Sequence, residues 1–139
     1  MILEEEHLDV FRENICYLAT SSRDCRPNVV PVGLVSSLDG KLVIVDVYFN
    51  KTRKNIETND QIAVAATDLF RKKSFQVKGK GSVVTSEKFF DFGLEMTRKK
   101  TEKMKIEGKK PHFSEDIRPK GVLVIDIEEI YSNMRGNRS

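Results

Sequence analysis

The strongest constraint on this chain is a cadence of short apolar runs, many of them rich in valine, set at close spacing and parted by turn signals. They are Ile15–Ser21, Asn28–Ser36, Lys41–Tyr48, Gln61–Thr67, Ser74–Val84 and Gly121–Ile130. Runs of this length and make-up read as strands. Ser22-Arg-Asp-Cys-Arg-Pro27 forms a turn between the first two, and Asp39-Gly40 is a strong hairpin signal because both residues tolerate positive φ. Leu42 to Val47 is apolar at every position but Asp46, so both faces of that strand are predicted to be covered. Six strands with mostly short connections predict a mainly β fold with minor α content, an antiparallel barrel rather than a set of βαβ units.

Three helices are predicted around these strands. Residues 2–14 carry Glu4, Glu5 and Glu6 near the positive end of the helix dipole, with Leu3, Val10 and Phe11 as an apolar face. Residues 51–59 form a short helix. Residues 87–107 form a long one, with Ser86 as its cap and Phe90, Leu94, Thr97, Thr101 and Met104 on one face. Gly108-Lys-Lys-Pro111 ends it, and 112–119 is a connector. Residues 1–132 read as a single domain, and 133–139 as a loose polar tail.

Composition excludes several classes. The 139 residues are enough for one domain with a real core, and 32% charged with 39% hydrophobic residues is a globular balance. No apolar run approaches a membrane span, and the acidic Met-Ile-Leu-Glu-Glu-Glu-His start lacks the plan of a signal peptide. Cys16 and Cys25 form no metal-ligand pattern, and both read as reduced thiols of a cytoplasmic protein, Cys16 as a small hydrophobe. His7 and His112 have no neighbouring ligands and read as exposed or locally bonded. Gly79-Lys-Gly81 lacks P-loop spacing and reads as a strand bend. Seven cations between Arg98 and Lys110 face only Glu102 and Glu107. With no interleaved aromatics they read as a solvated helix face, and nucleic acid is not the expected partner.

Asn50-Lys-Thr-Arg-Lys54 is the most informative short segment. A strand passes almost directly into a helix whose first turn holds three cations and a hydroxyl. A helix start offers unpaired N–H groups and positive potential, so cations there are unfavourable without an anion among them. Two readings stand at this point: a bound phosphate, or a solvated basic turn.

Four segments taken together resemble one family. Leu18-Ala-Thr-Ser-Ser-Arg-Asp-Cys-Arg-Pro-Asn-Val-Val-Pro-Val32 is similar to the first hairpin of the pyridoxamine 5′-phosphate oxidase-like FMN-binding split barrels. Asn50-Lys-Thr-Arg-Lys-Asn-Ile-Glu57, with Asn59, resembles their phosphate-binding turn and helix. Ser74-Phe-Gln-Val-Lys-Gly-Lys-Gly81 resembles the glycine-containing strand that follows, and Arg118-Pro-Lys-Gly-Val-Leu-Val-Ile-Asp126 the closing strand. The resemblance spans roughly residues 8 to 132, and the order and spacing of the segments carry it.

It implies a homodimeric antiparallel split β-barrel of six or more strands with flanking helices, and an FMN site between subunits. Lys51 and Thr52 would hold the phosphate, with Arg53 and Lys54 beside them. Asn28, Val30, Pro31 and Val32 would lie along the flavin ring system, and Asp46 and Val47 would face the ring or ribityl chain. Ser74 and Gln76 share one strand face and are candidates for polar contacts to the ring, and Arg118 would come from the partner. Proline at position 31 is itself expected at a sheet edge. The dimer is expected also to cover Leu42–Val47 and Gly121–Ile127 on their second faces. The tail Met134-Arg-Gly-Asn-Arg-Ser139 has no histidine, unlike the Arg-x-His substrate motif of the longer pyridoxamine phosphate oxidases proper. The implied function is therefore an FMN-dependent oxidoreductase acting on an unidentified small molecule or redox partner. The rivals are a non-catalytic carrier of flavin or of the deazaflavin F420, and a barrel without flavin that binds an anion or RNA through its basic helix. Haem is a further ligand of similar barrels. No side chain is nominated as catalytic.

Overall fold

The computed structural model describes residues 3–46, 50–109 and 119–134, Asp46 through its backbone. Along the chain run α1 (Glu5–Glu13), β1 (Cys16–Ser21), β2 (Pro27–Val32), β3 (Val35–Leu38), β4 (Lys41–Asp46), α2 (Asn50–Thr58), β5 (Gln61–Asp68), β6 (Lys73–Val84), α3 (Glu87–Ile106) and β7 (Gly121–Ser132). The strands form one antiparallel sheet in the order β2-β1-β5-β6-β7-β4-β3.

That order closes the sheet on itself. β2 and β3 are its opposite edges, yet only Gly33 and Leu34 separate them in sequence. A few residues of chain reach about 10 Å, so the two edges must meet and the sheet must curl into a barrel split along that seam. Sequence pattern predicts a single strand over 28–36. The chain instead breaks at 33–34, because those residues carry it from one edge of the sheet to the other, where Val45 N–H donates to the Leu34 carbonyl at 3.2 Å.

Alternation along the strands fills the barrel. Leu18, Val64, Val77, Leu42, Ile44, Leu123 and Ile125 are fully buried in one cluster, and α1 adds Leu8, Val10 and Phe11 to it. Full burial of a side chain such as Phe11 is worth about 1.5–3 kcal/mol. α1 starts with a reciprocal capping box in which Glu4 N–H donates to His7 Nδ1 at 3.0 Å, so His7 is locally bonded, and its ring meets Phe75 edge-on. Asp39 and Gly40 turn the β3–β4 hairpin at φ 54° and 75°, as the dipeptide predicts. At Gly79 a bulge interrupts the β6–β7 register, and a Cβ there would lie 2.0 Å from the Asp126 carbonyl oxygen. The strand bend predicted from Gly79-Lys-Gly81 is this bulge.

The second face of β4 and β7 is covered within the chain. Phe89, Phe90, Phe92 and Met96 of α3 pack on Val43, Val45 and Val122, and Gly93 permits the approach, since a Cβ there would lie 2.7 Å from Val122 Cγ1. At Val43, Val45 and Val122 the cover expected from a dimer partner is thus supplied by α3, and Val47 lies outside the described residues. Of the α3 face predicted by spacing, Met104 is buried, Phe90 packs on this cluster, and Leu94, Thr97 and Thr101 are half-buried; Gly93 is the point of closest approach. Ser86 takes the N-cap position, but its side chain makes no capping bond.

Candidate functional site

α2 presents its basic start at the β2 edge of the sheet. Thr52, Asn55 and Ile56 are buried beneath the helix, while Asn50, Lys51 and Lys54 are exposed. Spacings of three and four residues put Thr52, Asn55, Ile56 and Asn59 on one face. That face is mostly polar, and each polar member finds a mate on the first hairpin. Asn28 Nδ2 donates to Thr52 Oγ1 at 3.3 Å, Asn55 Nδ2 to Thr20 Oγ1 at 3.1 Å, and Asn59 Nδ2 to Ser21 Oγ at 2.8 Å. Among the described residues no buried side-chain polar atom lacks a partner. Arg53 pairs with Glu57 at 3.8 Å, within its own helix. Lys51 is left exposed on the first turn, beside N–H groups that have no intrahelical acceptor.

The predicted site residues divide into groups. Asn28, Lys51 and Thr52 come together. Val32 is buried in the barrel, Val30 packs against that core, and Pro31 points out from the free edge strand, where its missing N–H leaves no gap in the ladder. Asp46 ends β4, and Val47 and Arg118 lie outside the described residues.

Ser74 and Gln76 are on β6, three strands from β2. One cross-strand row joins the two regions: Pro31, Tyr17, Ala65, Gln76 and Tyr131 are successive register partners. Three steps of ~4.8 Å put Gln76 roughly 14 Å from Pro31 on the same outer face, so one chain does not gather the whole set. Ser74 is buried, with its hydroxyl bonded to Thr67 Oγ1 at 2.8 Å and to the Ala66 carbonyl at 3.2 Å. Asn133 Nδ2 donates to Ser74 Oγ at 3.2 Å, and Gln76 Nε2 donates to Asn133 Oδ1 at 3.4 Å. The start of the tail is thus bound to β6 rather than loose; residues 135–139 lie outside the described set.

This outer face is apolar and uncovered. Ile15, Tyr17 and Val29 are 61%, 54% and 62% exposed, and Ala19, Ala63 and Ala65 form a shallow floor between them. Lys78 Nζ sits 5.5 Å from the ring centroid of Tyr131 at its margin. Sequence reasoning missed the role of Thr20, Ser21, Asn55 and Asn59, although the polar side chains at helical spacing in α2 were the visible signal. It also missed this face, because exposed apolar residues alternate with core residues and read as ordinary strand.

Burial pushes the Cys16 thiol up to about 12, in keeping with its reading as a small hydrophobe. Among the described residues no group of three or more His, Cys, Asp or Glu could hold a metal ion, and no helix is long and apolar enough to cross a membrane.

An uncharacterised protein of Methanocaldococcus jannaschii is 33% identical over 137 residues, 96% of this chain and 83% of that protein. HupZ of Group A Streptococcus has a similar fold, with a TM-score of 0.77, 19% identity and 96% of each chain covered. An FMN-binding protein from Syntrophomonas wolfei gives 0.73 at 15% identity over 91% of this chain and 82% of its own. An F420 reductase gives 0.65 at 16% over 94% and 98%. Residues 3–134 match the profile of the pyridoxamine 5′-phosphate oxidase family, and with its split barrel this chain belongs to that family.

Proposed function

We propose that this chain is a cytoplasmic, homodimeric FMN-binding flavoprotein that acts as an oxidoreductase on a small molecule or redox partner. The observation that carries the reading is the exposed basic start of α2, tied by Asn28 and Thr52 to the free edge strand. The residues fit a phosphate-bearing flavin. Lys51 supplies a mobile cation, and the N–H groups of the first turn, that of Thr52 among them, supply donors aligned with the helix dipole. The Thr52 hydroxyl, occupied by Asn28, sets the position of that turn. The β2 backbone at 28–32 offers a ladder edge along which the ring lies. When bound, FMN supplies the electron transfer; the protein binds it, orients it and limits access of water. In a dimer formed through the apolar outer faces, Gln76 of one copy reaches the ring held by the other, which accounts for the roughly 14 Å between Gln76 and Pro31 within one chain, and the resemblance draws Arg118 from the partner as well.

F420 carries a phosphate that the same turn accepts, and an F420 reductase among the structural relatives keeps it as the second ligand. For haem, His7 Nδ1 is already engaged by the Glu4 N–H, and His112 lies outside the described residues. The test is an absorbance spectrum of the purified protein, mass spectrometry of the released ligand, and light scattering. A flavin spectrum, FMN released and twice the 15.9 kDa chain mass are expected. A colourless monomer that takes up no added FMN refutes the reading.

A further inference from the structure

Three lysines of α3 make no close ion pair among the described residues, Lys99 meeting only the longer-range field of Glu95. Lys99, Lys100 and Lys103 follow Met96 by three, four and seven positions, so all four occupy one helix face. With Arg12 of α1 and residues 33–36 they line a cavity of about 260 Å³ at the seam of the barrel. Leu34, Val35 and Met96 give it an apolar floor, and Arg12 Nε donates to Ser36 Oγ at 3.4 Å, which holds the guanidinium at the rim. Arg12 also meets the exposed Glu5 at 3.4 Å, but among the described residues no carboxylate lines the cavity. Other cations of the same helix are matched: Arg98 bonds Glu95 and Glu102, and Lys88 bonds Asp39. A second cavity, of about 550 Å³, is matched as well, with Lys73 against Glu6 and Arg71 against Glu13, both at 2.8 Å.

Like charges at this spacing oppose one another, so the cluster is unfavourable until an anion joins it. Four cations around a small concavity suit several negative charges on adjacent groups, and lysine holds phosphate as a point charge. From this we infer that the seam cavity is a binding site for a small phosphorylated ligand of the diphosphate type, whose less polar part rests on Leu34, Val35 and Met96. Gly33 lies five residues along the chain from Asn28, roughly 16 Å in extended chain, so the site is separate from the phosphate anchor at the α2 turn.

Calorimetric titration of the full chain with inorganic pyrophosphate at physiological ionic strength tests it. One site per chain with a sub-millimolar dissociation constant is expected. The Lys99→Gln/Lys103→Gln variant should weaken it at least ~10-fold. Arg12→Gln should weaken it by a smaller factor, and Lys51→Ala should leave it within ~2-fold. All these side chains are at least partly exposed, and an unchanged circular dichroism spectrum verifies folding. The inference is overturned by no binding at millimolar pyrophosphate, by loss in Lys51→Ala alone, by equal binding of succinate, or by a single-stranded oligonucleotide that displaces pyrophosphate at lower concentration.

Discussion

Replacing Thr52 with valine separates a phosphate ligand from a residue that positions one. The side chain is 2% exposed and its hydroxyl accepts from Asn28 Nδ2 at 3.3 Å. Valine keeps the shape and removes that acceptor, leaving a half-buried amide donor that water partly serves. The cost to folding is about 1 kcal/mol, roughly a fivefold change in the folding constant. FMN affinity should fall less than ~3-fold, because the Thr52 N–H and the helix start remain. Lys51→Ala should do the reverse. Its exposed ammonium contributes little to folding, within about 0.5 kcal/mol, whereas a lost charge-assisted phosphate contact of about 1.5–3 kcal/mol weakens FMN about 10- to 150-fold. Urea unfolding and quenching of FMN fluorescence, run on the same samples, measure both quantities. The reasoning is refuted if Thr52→Val loses as much affinity as Lys51→Ala with unchanged stability. The hydroxyl would then contact the phosphate directly, and its bond to Asn28 would not hold in the complex.

Riboflavin should bind at least ~100-fold more weakly than FMN if several contacts reach the phosphate, and added salt should narrow the gap; paired titrations at two ionic strengths measure it. Gly79→Ala should destabilise the fold by about 3 kcal/mol or more, because the new Cβ meets backbone oxygen of Asp126 rather than a movable side chain, and a loss under 1 kcal/mol in urea would contradict the tight bulge. A thiol reagent at pH 8 should label exposed Cys25 quickly and leave Cys16 unmodified until unfolding. Because the folded state holds the Cys16 proton up to about 12 against an ordinary 9.0, its contribution to stability falls as pH rises through that window, and Cys16→Ala should flatten the alkaline decline in melting temperature.

Elements with a strong local signature were legible in the sequence. The Asp39-Gly40 hairpin, the alternating β5 and β6 and the cluster of cations opening α2 follow from nearest-neighbour chemistry. Three features were not. The break at 33–34 depends on which strands become edges, a property of the whole sheet. The helix cover over Val43, Val45 and Val122 depends on a missing side chain at Gly93, which an apolar pattern does not register. The division of the predicted flavin contacts between β2 and β6 depends on strand order, since Gln76 reaches Pro31 only through Ala65 and Tyr17. For the candidate site, residue types were readable locally, but their gathering was not.

The strand order also dictates when the protein can finish folding. The β3–β4 hairpin forms from neighbouring residues, but the other edge of β4 is filled by β7, with Asp46 opposite Gly121. Through most of synthesis the apolar segment Leu42–Val45 has one ladder edge open and its α3 cover not yet made. Such late, non-local pairing favours folding in milliseconds to seconds rather than microseconds. It also makes the emerging β4 edge the point at which a nascent chain is most exposed to pairing with a neighbour.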